Sequence, residues 1–172
     1  MNVKIGVSNH HMHISKEDYM ILFGDEVMEE FKQMNQPNEF STTKKVRVVG
    51  PKGELDVRLM GPFREYTQVE LSKTDAYILG INPPITKSGS LQDASSLIIV
   101  GTRSSITRNC AIIHERHIHI NEVKVNIEGI KGGQMSHVYL KETPNGFYEM
   151  HIDTDDANAF LLKNGDVVDI EF

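Results

Sequence analysis

Two His-x-His pairs, one near the start of the chain and one in its second half, stand in similar surroundings. His11-Met12-His13 lies within the segment 8–14, and His117-Ile118-His119 lies within the segment 114–120. Alternate residues of a β-strand project to the same face, so each pair can direct two imidazole rings at one point. Imidazole pairs of this kind are typical ligands of transition-metal ions. The repeated pattern predicts two copies of one β-structural element, and therefore an internally duplicated fold.

The length and composition of the chain set limits on its class. With 172 residues, of which 39% are hydrophobic, it can form one domain or two small domains that pack closely. The formal net charge is -6, and the 18 basic residues form no cluster of the kind that binds nucleic acid. We therefore expect no nucleic-acid partner, and an anionic ligand must be bound by a local positive charge.

No stretch of the sequence approaches the roughly 20 apolar residues that a membrane-spanning helix needs. Residues 1–5 lead directly into the first histidine motif and lack the apolar core of a signal peptide. These features predict a cytoplasmic protein with no membrane partner. The single cysteine, Cys110, excludes an internal disulfide, and its apolar neighbours favour a small buried side chain over a metal ligand.

Short runs of strand-like composition dominate the chain, and Gly, Pro or Asn turns separate most of them. They are residues 3–7, 46–49, 54–60, 68–71, 96–100, 111–113, 124–127, 137–141, 148–152 and 167–172. Such a series is typical of β-barrels and β-sandwiches, and the predicted fold class is mainly β. Residues 25–43 are interpreted as a connecting excursion, and residues 87–94 as a polar loop.

Three short helices are predicted from their start and stop signals. The first begins at the capping sequence Ser15-Lys16-Glu17-Asp18 and stops at Gly24. The second begins at Ser72 and stops near Gly80, and the third covers residues 155–162. The helical segments are therefore few and short, and strands dominate the chain.

The residues that could carry chemistry are His11, His13, Arg64, Glu70, His117, His119 and His151. Neutral imidazoles together with a carboxylate suit Zn²⁺, Co²⁺, Ni²⁺ or Fe²⁺, and the lack of clustered cysteines favours an open catalytic site over a closed structural one. Each histidine could instead be an imidazole bonded to the backbone, Glu70 a solvated carboxylate, and Arg64 the partner of a surface salt bridge. Spacing alone leaves both interpretations open.

Motifs that follow one another from end to end of the chain resemble those of one enzyme family. They include Gly6-Val7-Ser8-Asn9, Gly61-Pro62 with Arg64, Thr67-Gln68-Val69-Glu70-Leu71-Ser72, Arg116-His117-Ile118-His119, Glu149-Met150-His151-Ile152-Asp153-Thr154-Asp155 and Asn164-Gly165-Asp166-Val167-Val168. In order and number, these motifs are similar to those of the PduL-type phosphate acyltransferases, also called phosphate propanoyltransferases or phosphotransacylases.

The resemblance implies two small, closely packed β-barrels with short α-helical caps and a dinuclear zinc site between them. Barrel 1 would comprise residues 1–8 and 115–172, and barrel 2 would comprise residues 9–114. The chain would start in one barrel, form the other and return to the first. The interval between His119 and His151 is shorter than is usual in the family, so we expect barrel 1 to be trimmed there.

The resemblance also implies roles for individual residues. Two zinc ions per chain would be bound, the first by His11, His13 and Glu70, and the second by His117, His119 and His151. Arg64 would hold phosphate. The positions that match the coenzyme A site are Ser8, Lys32, Arg58, Met60, His151 and Asn158. His10 stands where the family usually has arginine, and it is interpreted either as a substitute anion contact or as a neutral neighbour of the ligand pair.

The implied activity is the reversible conversion of a short-chain acyl-CoA and phosphate into acyl phosphate and CoA. Two alternatives stay open, a catalytically weakened acyl-CoA-binding barrel protein and a metal-dependent thioester hydrolase. Acetyl and propanoyl groups are both compatible with the sequence, and so are a monomer and a homo-oligomer. The amphipathic N-terminal extension of family members that enter bacterial microcompartments has no counterpart before the first strand, which favours a free cytoplasmic enzyme.

Overall fold

Short strands form most of the chain, with three short helices between them. The computed structural model describes residues 2–118, 123–141 and 148–171. The strands are β1 (Asn2–Ser8), β2 (His11–Ser15), β3 (Glu30–Gln33), β4 (Phe40–Val49), β5 (Glu54–Arg64), β6 (Gln68–Glu70), β7 (Ile85–Thr86), β8 (Ser95–Val100), β9 (Ser105–His114), β10 (His117–Ile118), β11 (Val123–Ile127), β12 (Gly133–Leu140), β13 (Glu149–Asp153) and β14 (Val167–Glu171). The helices are α1 (Lys16–Phe23), α2 (Lys73–Leu79) and α3 (Thr154–Phe160). The predicted mainly β fold class is confirmed.

The chain divides into two compact units, each with its own closed barrel. The unit His10–His114 contains the barrel β4-β5-β2-β6-β9-β8, which closes because β8 also pairs with β4. Outside this barrel, β3 adds to β4 and β7 adds to β9. The unit formed by Met1–Asn9 and Glu115–Phe172 contains the closed barrel β1-β13-β10-β12-β11-β14.

The two barrels have the same pairing pattern. In one barrel β2 is parallel to β5 and antiparallel to β6, and in the other β10 is parallel to β12 and antiparallel to β13. β6 is parallel to β9 in the first of these barrels, as β13 is to β1 in the second. The N-terminal strand β1 therefore takes in its barrel the place that β9 takes in the other. The internal duplication predicted from the two His-x-His pairs is confirmed.

Alternation along the strands fills the interior of each barrel with apolar side chains. Met12 on β2 lies directly opposite Val69 on β6, and both are buried in the core of the unit His10–His114. Ile118 on β10 lies opposite Met150 on β13 and has the same place in the core of the other unit. Because successive side chains of a strand point to opposite faces, the residues that flank these core positions project away from the core.

The three helices begin at side chains that cap their first turn. α1 and α2 are capped by the predicted Ser15 and Ser72, and Ser72 forms a complete capping box with Asp75. α3 is capped by Asp153 and covers Thr154–Phe160. It therefore begins one residue earlier than the predicted range 155–162 and ends two residues earlier than the end of that range. Within the described part of the chain, no helix has the length and the apolar character needed to cross a membrane.

The connecting excursion predicted for residues 25–43 is wrong in part, because this segment contains β3 and the start of β4. All of Glu30–Gln33 is exposed, so the segment lacks the alternation by which a strand is recognised in a sequence. Its strand conformation comes from backbone pairing with β4. The predicted run 111–113 likewise covers only part of β9, which begins at Ser105. The first half of β9 exposes polar residues and was therefore not recognised as a strand, although it pairs with β8.

Cys110 is fully buried in the barrel core, which confirms its interpretation as a small core side chain. Burial raises the pKa of its thiol to about 12. The thiol is therefore protonated at neutral pH, and it is neither a good ligand nor a good nucleophile.

The turn after β4 contacts the end of α2 at Gly50, where there is no room for a side chain. A Cβ atom at Gly50 would lie 2.3 Å from the carbonyl oxygen of Leu79 and 2.9 Å from its Cβ. We expect Gly50→Ala to lower the free energy of unfolding by about 2–3 kcal/mol, because backbone atoms must move to admit the methyl group. In the control Gly133→Ala, the methyl group would meet Phe160 Cε1 at an ordinary 3.5 Å. Urea denaturation followed by circular dichroism measures both, and wild-type stability of Gly50→Ala would contradict this packing.

Candidate metal centre

Three side chains with metal-binding donors converge on the wall of the barrel in the unit His10–His114. His11 and His13 lie two residues apart on β2, so both project from the face opposite the core residue Met12. On the neighbouring strand β6, Glu70 lies directly opposite His11. Each of the three offers one donor atom, and these atoms lie within 4.8 Å of one another. We call His11, His13 and Glu70 the first cluster.

Glu70 contacts the two imidazoles of the first cluster through different oxygens. His11 Nε2 is 3.3 Å from Glu70 Oε2, and His13 Nε2 is 3.9 Å from Glu70 Oε1. The two rings meet edge to face, with their centroids 5.2 Å apart and their planes at 85°. His13 and Glu70 are buried, with 4% and 6% of their surface exposed, and His11 is half-buried. The first cluster is therefore shielded from water except at His11.

Burial and neighbouring charges set the protonation states of the first cluster. Burial by itself would raise the pKa of Glu70, but the rings of His11 and His114 hold that pKa well below its ordinary value. Burial, and after it the ring of His11 and the charge of Arg64, lower the pKa of His13 to about 3. His13 is therefore neutral at pH 7, and its contact with Glu70 is not an ion pair although the two groups are close. Neutral imidazole and ionised carboxylate are the forms that bind metal ions.

Three further side chains orient the carboxylate of Glu70. Gln68 Nε2 donates to Glu70 Oε1 at 2.7 Å, and Ser88 Oγ donates to the same oxygen at 3.3 Å. The backbone N–H of Gly89 donates to Gln68 Oε1 at 2.7 Å, so the loop that carries Ser88 also orients Gln68. His114 Nδ1 lies 3.0 Å from Glu70 Oε2. Sequence reasoning misses all three side chains, although the two-residue spacing of Gln68 and Glu70 on one strand was a signal for the first.

The donors of the first cluster fit a divalent transition metal. Two imidazoles and one carboxylate are ligands that zinc uses in open catalytic sites, where a further position is left for water or substrate. His13 Nδ1 is buried and has no hydrogen-bond partner among the described residues. A buried polar atom without a partner is unfavourable, and ligation of a metal ion through this nitrogen would offset that cost. The first cluster can therefore hold a metal ion.

A second group of polar side chains lies on β10 and β13 in the other unit. His117 is directly opposite His151, and their rings stack with centroids 5.0 Å apart and planes at 11°. Glu149 shares a strand face with His151, and Glu149 Oε2 is 3.2 Å from His151 Nε2. Gly6 leaves room for this buried carboxylate, because a Cβ atom at Gly6 would lie 3.0 Å from Glu149 Cδ. His119, the remaining predicted ligand, lies outside the described residues. We call His117, His151 and Glu149 the second group.

The duplicated register relates the first cluster to the second group residue by residue. On the neighbouring antiparallel strand, Glu70 lies directly opposite His11 in one barrel, and His151 lies directly opposite His117 in the other. The equivalent residues are His11 and His117, Glu70 and His151, and Gln68 and Glu149. One barrel thus has a carboxylate where the other has an imidazole, and an amide where the other has a carboxylate. Glu149 was missed from the sequence, where its spacing from His151 was the only signal.

Arg64 ends β5 near the first cluster, where its charge contributes to the low pKa of His13. The guanidinium forms an ion pair with Glu39, and Gln36 Nε2 donates to the same oxygen of Glu39 at 3.2 Å. The pair with Glu39 is what the salt-bridge interpretation of Arg64 requires. The position beside the first cluster is what a phosphate-binding role requires.

Two of the residues that the resemblance assigns to coenzyme A lie beside the first cluster. Arg58 and Met60 on β5 are in register with His11 and His13 on β2. Arg58 is half-buried and donates to the carbonyl oxygen of Thr42 at 2.7 Å, whereas Met60 is buried. The wall of the barrel therefore carries a cation and an apolar side chain next to the histidine pair.

The other residues assigned to coenzyme A are spread over both units. Lys32 is exposed on β3 of the unit His10–His114. Ser8 ends β1 in the other unit, where Asn158 is exposed on α3 and His151 belongs to the second group. The sequence pattern did not predict the strand β3 that carries Lys32.

His10 pairs with a carboxylate of the protein, an arrangement that neither interpretation from the sequence describes. His10 Nδ1 is 3.1 Å from Asp75 Oδ1, and this hydrogen bond raises the pKa of His10. Asp75 also belongs to the capping box of α2. The equivalent pair in the other unit is Arg116 with Asp156, in which Arg116 Nη2 donates to Asp156 Oδ1 at 2.7 Å. His10 thus has the structural role of an arginine that anchors the helix after the ligand strand.

Comparison with known proteins relates the whole chain to one enzyme family. A family model described as phosphate propanoyltransferase matches residues 4–163. A phosphate propanoyltransferase of Rhodopseudomonas palustris (strain BisB18) is 41% identical, and the match covers 98% of this chain and 81% of the relative. The phosphate propanoyltransferase of Thermotoga maritima is 36% identical, with 95% of this chain and 86% of the relative covered. That of Salmonella typhimurium is 38% identical, with 94% and 85% covered. The chain therefore belongs to the phosphate propanoyltransferase family of acyltransferases.

Proposed function

We propose that this protein is a zinc-dependent phosphate acyltransferase that moves a short-chain acyl group between coenzyme A and phosphate. The observation that carries the proposal is the first cluster, found in a chain whose relatives are named phosphate propanoyltransferases. A phosphate oxygen attacks the carbonyl carbon of the thioester, the carbon–sulfur bond breaks, and CoA leaves as a thiolate. The products are acyl phosphate and CoA, and the reaction runs in both directions.

Two zinc ions per chain are part of the proposal. The residues that would hold them are His11, His13 and Glu70 for the first ion, and His117, His119 and His151 for the second. A bound zinc ion would stabilise the departing thiolate, which is a soft ligand, and would polarise the acyl oxygen as a Lewis acid. The contribution of the protein is to supply imidazoles in the neutral form, and the low pKa of His13 supports this for the first cluster.

Arg64 is the proposed phosphate-binding residue. Its planar guanidinium can form two parallel hydrogen bonds to phosphate, which orient the nucleophile and offset the repulsion between two anionic reactants. The protein has a formal net charge of -6, so its overall field does not attract phosphate and a local cation is needed. Because Glu39 pairs with this guanidinium, phosphate must displace the carboxylate of Glu39 or share Arg64 with it.

For coenzyme A, the proposed contacts are Ser8, Lys32, Arg58, Met60, His151 and Asn158. The register of Arg58 and Met60 beside His11 and His13 supports a thioester position near the first cluster. Cationic side chains such as Arg58 and Lys32 suit the phosphate groups of the cofactor.

Direct attack by phosphate is proposed, without a covalent acyl-enzyme. The only cysteine of the chain, Cys110, is buried in the core with the pKa of its thiol raised to about 12, so no thiolate is available as a nucleophile. In this mechanism both substrates are bound at the same time, and the acyl group passes between them in one transfer.

The metal content of purified protein tests the two proposed ligand sets. We expect about two zinc ions per chain in the wild type. His11→Ala and His13→Ala should each lose about one ion, and His151→Ala should lose the other, because an open site that loses one of three protein ligands loses most of its affinity. His137→Asn is the control, since His137 is exposed and lies outside both sets. Full metal content in the His11→Ala and His13→Ala double variant, measured by mass spectrometry of the metal, would contradict the first set.

A phosphate-dependence assay separates the proposed reaction from its two alternatives. With acetyl-CoA or propanoyl-CoA, a phosphate acyltransferase should release CoA only when phosphate is present and should form acyl phosphate in equal amount. A thioester hydrolase would release CoA without phosphate, and a binding protein would release none. Thiol release is followed with a chromogenic reagent and acyl phosphate with hydroxylamine. Phosphate-independent release of CoA would overturn the proposal.

Substitution of Arg64 tests its role in phosphate binding against a purely structural salt bridge. Arg64→Ala and Arg64→Lys should both reduce turnover roughly 30- to 1000-fold and impair phosphate saturation, because each loses the two parallel hydrogen bonds, a cost of about 2–4 kcal/mol. Glu39→Gln is the matched control: it removes the same ion pair but keeps the guanidinium, so turnover should stay within about threefold of wild type. If Glu39→Gln and Arg64→Ala lose the same activity in steady-state kinetics, the ion pair and not phosphate binding explains Arg64.

A further inference from the structure

His114 is a half-buried histidine that the proposed ligand sets do not include, although it touches the first cluster. It is the last residue of β9, which runs parallel to β6 with Ile112 in register with Glu70. Two residues after Ile112, His114 has the same strand face, and its Nδ1 lies 3.0 Å from Glu70 Oε2. An ionised carboxylate only accepts hydrogen bonds, so Nδ1 of His114 is the donor in this contact.

Metal binding would change the contacts of Glu70 in an unequal way. A ring nitrogen that binds a metal ion uses its lone pair for the ion and carries no proton, so His11 cannot donate to Glu70 through that nitrogen. Gln68 and Ser88 both act on the other oxygen, Oε1. Of the two imidazoles near Oε2, His114 is therefore the one that can continue to donate to it.

The duplicated fold provides an internal comparison for this position. His151, the equivalent of Glu70, is in register with Gly6 on β1, so the equivalent of His114 is Ser8. An imidazole donor thus stands beside the proposed carboxylate ligand, and a serine occupies the same place beside the proposed imidazole ligand. A carboxylate that binds a metal ion is oriented by hydrogen-bond donors to its remaining lone pairs, and His114 is such a donor beside Glu70.

We propose that His114 is a positioning residue: its Nδ1–H holds Glu70 in the orientation in which Glu70 binds a metal ion together with His11 and His13. The inference rests on the metal site of the proposed function. Residues that orient a metal ligand typically change metal affinity 10- to 100-fold when they are replaced. His114 itself binds neither the ion nor a substrate, so its effect passes through Glu70.

Two substitutions of similar shape separate the hydrogen bond of His114 from its packing. Asparagine places its amide N–H near the position of Nδ1, and leucine has almost the same shape without a donor. In the whole chain, we expect His114→Leu to weaken zinc binding at the first cluster about 10- to 100-fold and His114→Asn to stay within about threefold of wild type. Zinc affinity is measured by competition with a chromophoric chelator, and His13→Ala identifies the binding step that belongs to the first cluster. His137→Asn controls for the general loss of a histidine.

Each result of this titration decides the inference. Wild-type zinc affinity in His114→Leu would overturn it, and so would an equal loss in His114→Leu and His114→Asn, because packing and not donation would then explain the effect. Circular dichroism of the zinc-free variants checks that the barrel is intact. If the zinc titrations of wild-type protein and His13→Ala are the same, the first cluster binds no zinc and the metal site of the proposed function fails. That result is distinct from failure of the role of His114 alone.

Discussion

The antiparallel pairing of β2 with β6 is the interaction on which the rest of the candidate site depends. It sets Met12 against Val69 in the barrel core and His11 against Glu70 on the other face. The side-chain period of a strand is two residues, so a shift by one residue would exchange the two faces completely. Such a shift would place charged and polar donors in the core and expose apolar side chains. The hydrophobic core of the barrel therefore determines where the donors of the first cluster lie.

Burying the carboxylate of Glu70 is unfavourable unless hydrogen bonds and opposite charge compensate for lost hydration. The structure provides that compensation from several directions, with Gln68 and Ser88 on one oxygen and two imidazoles near the other. The same burial keeps His13 neutral. Two causes thus maintain the protonation states that a divalent ion requires. The neighbouring imidazoles keep Glu70 ionised in spite of its burial, and burial keeps His13 neutral. These protonation states make the cluster suitable for the proposed chemistry.

Duplication has preserved the frame of the two barrels while their side chains have diverged. Equivalent positions differ where chemistry is proposed, since Glu70 in one barrel corresponds to His151 in the other, and Gln68 corresponds to Glu149. Outside the donors the roles persist, since His10 with Asp75 and Arg116 with Asp156 both anchor the helix that follows a ligand strand. One strand arrangement therefore carries two groups of polar side chains that differ in charge.

Local patterns in the sequence by themselves determined the mainly β fold, its duplication, the helix caps at Ser15 and Ser72, and the place of Cys110 in the core. These properties depend on strand alternation and on contacts within a few residues, which a sequence displays directly. The tertiary structure alone decided that β3 is a strand, because its exposed residues carry no periodic signal and its order comes from pairing with β4. It also decided which side chains surround Glu70 and which carboxylate pairs with Arg64. Apart from Gln68, which lies on β6 with Glu70, those neighbours come from other strands and loops. Only the long-range register and closure of the barrel place them within hydrogen-bonding distance.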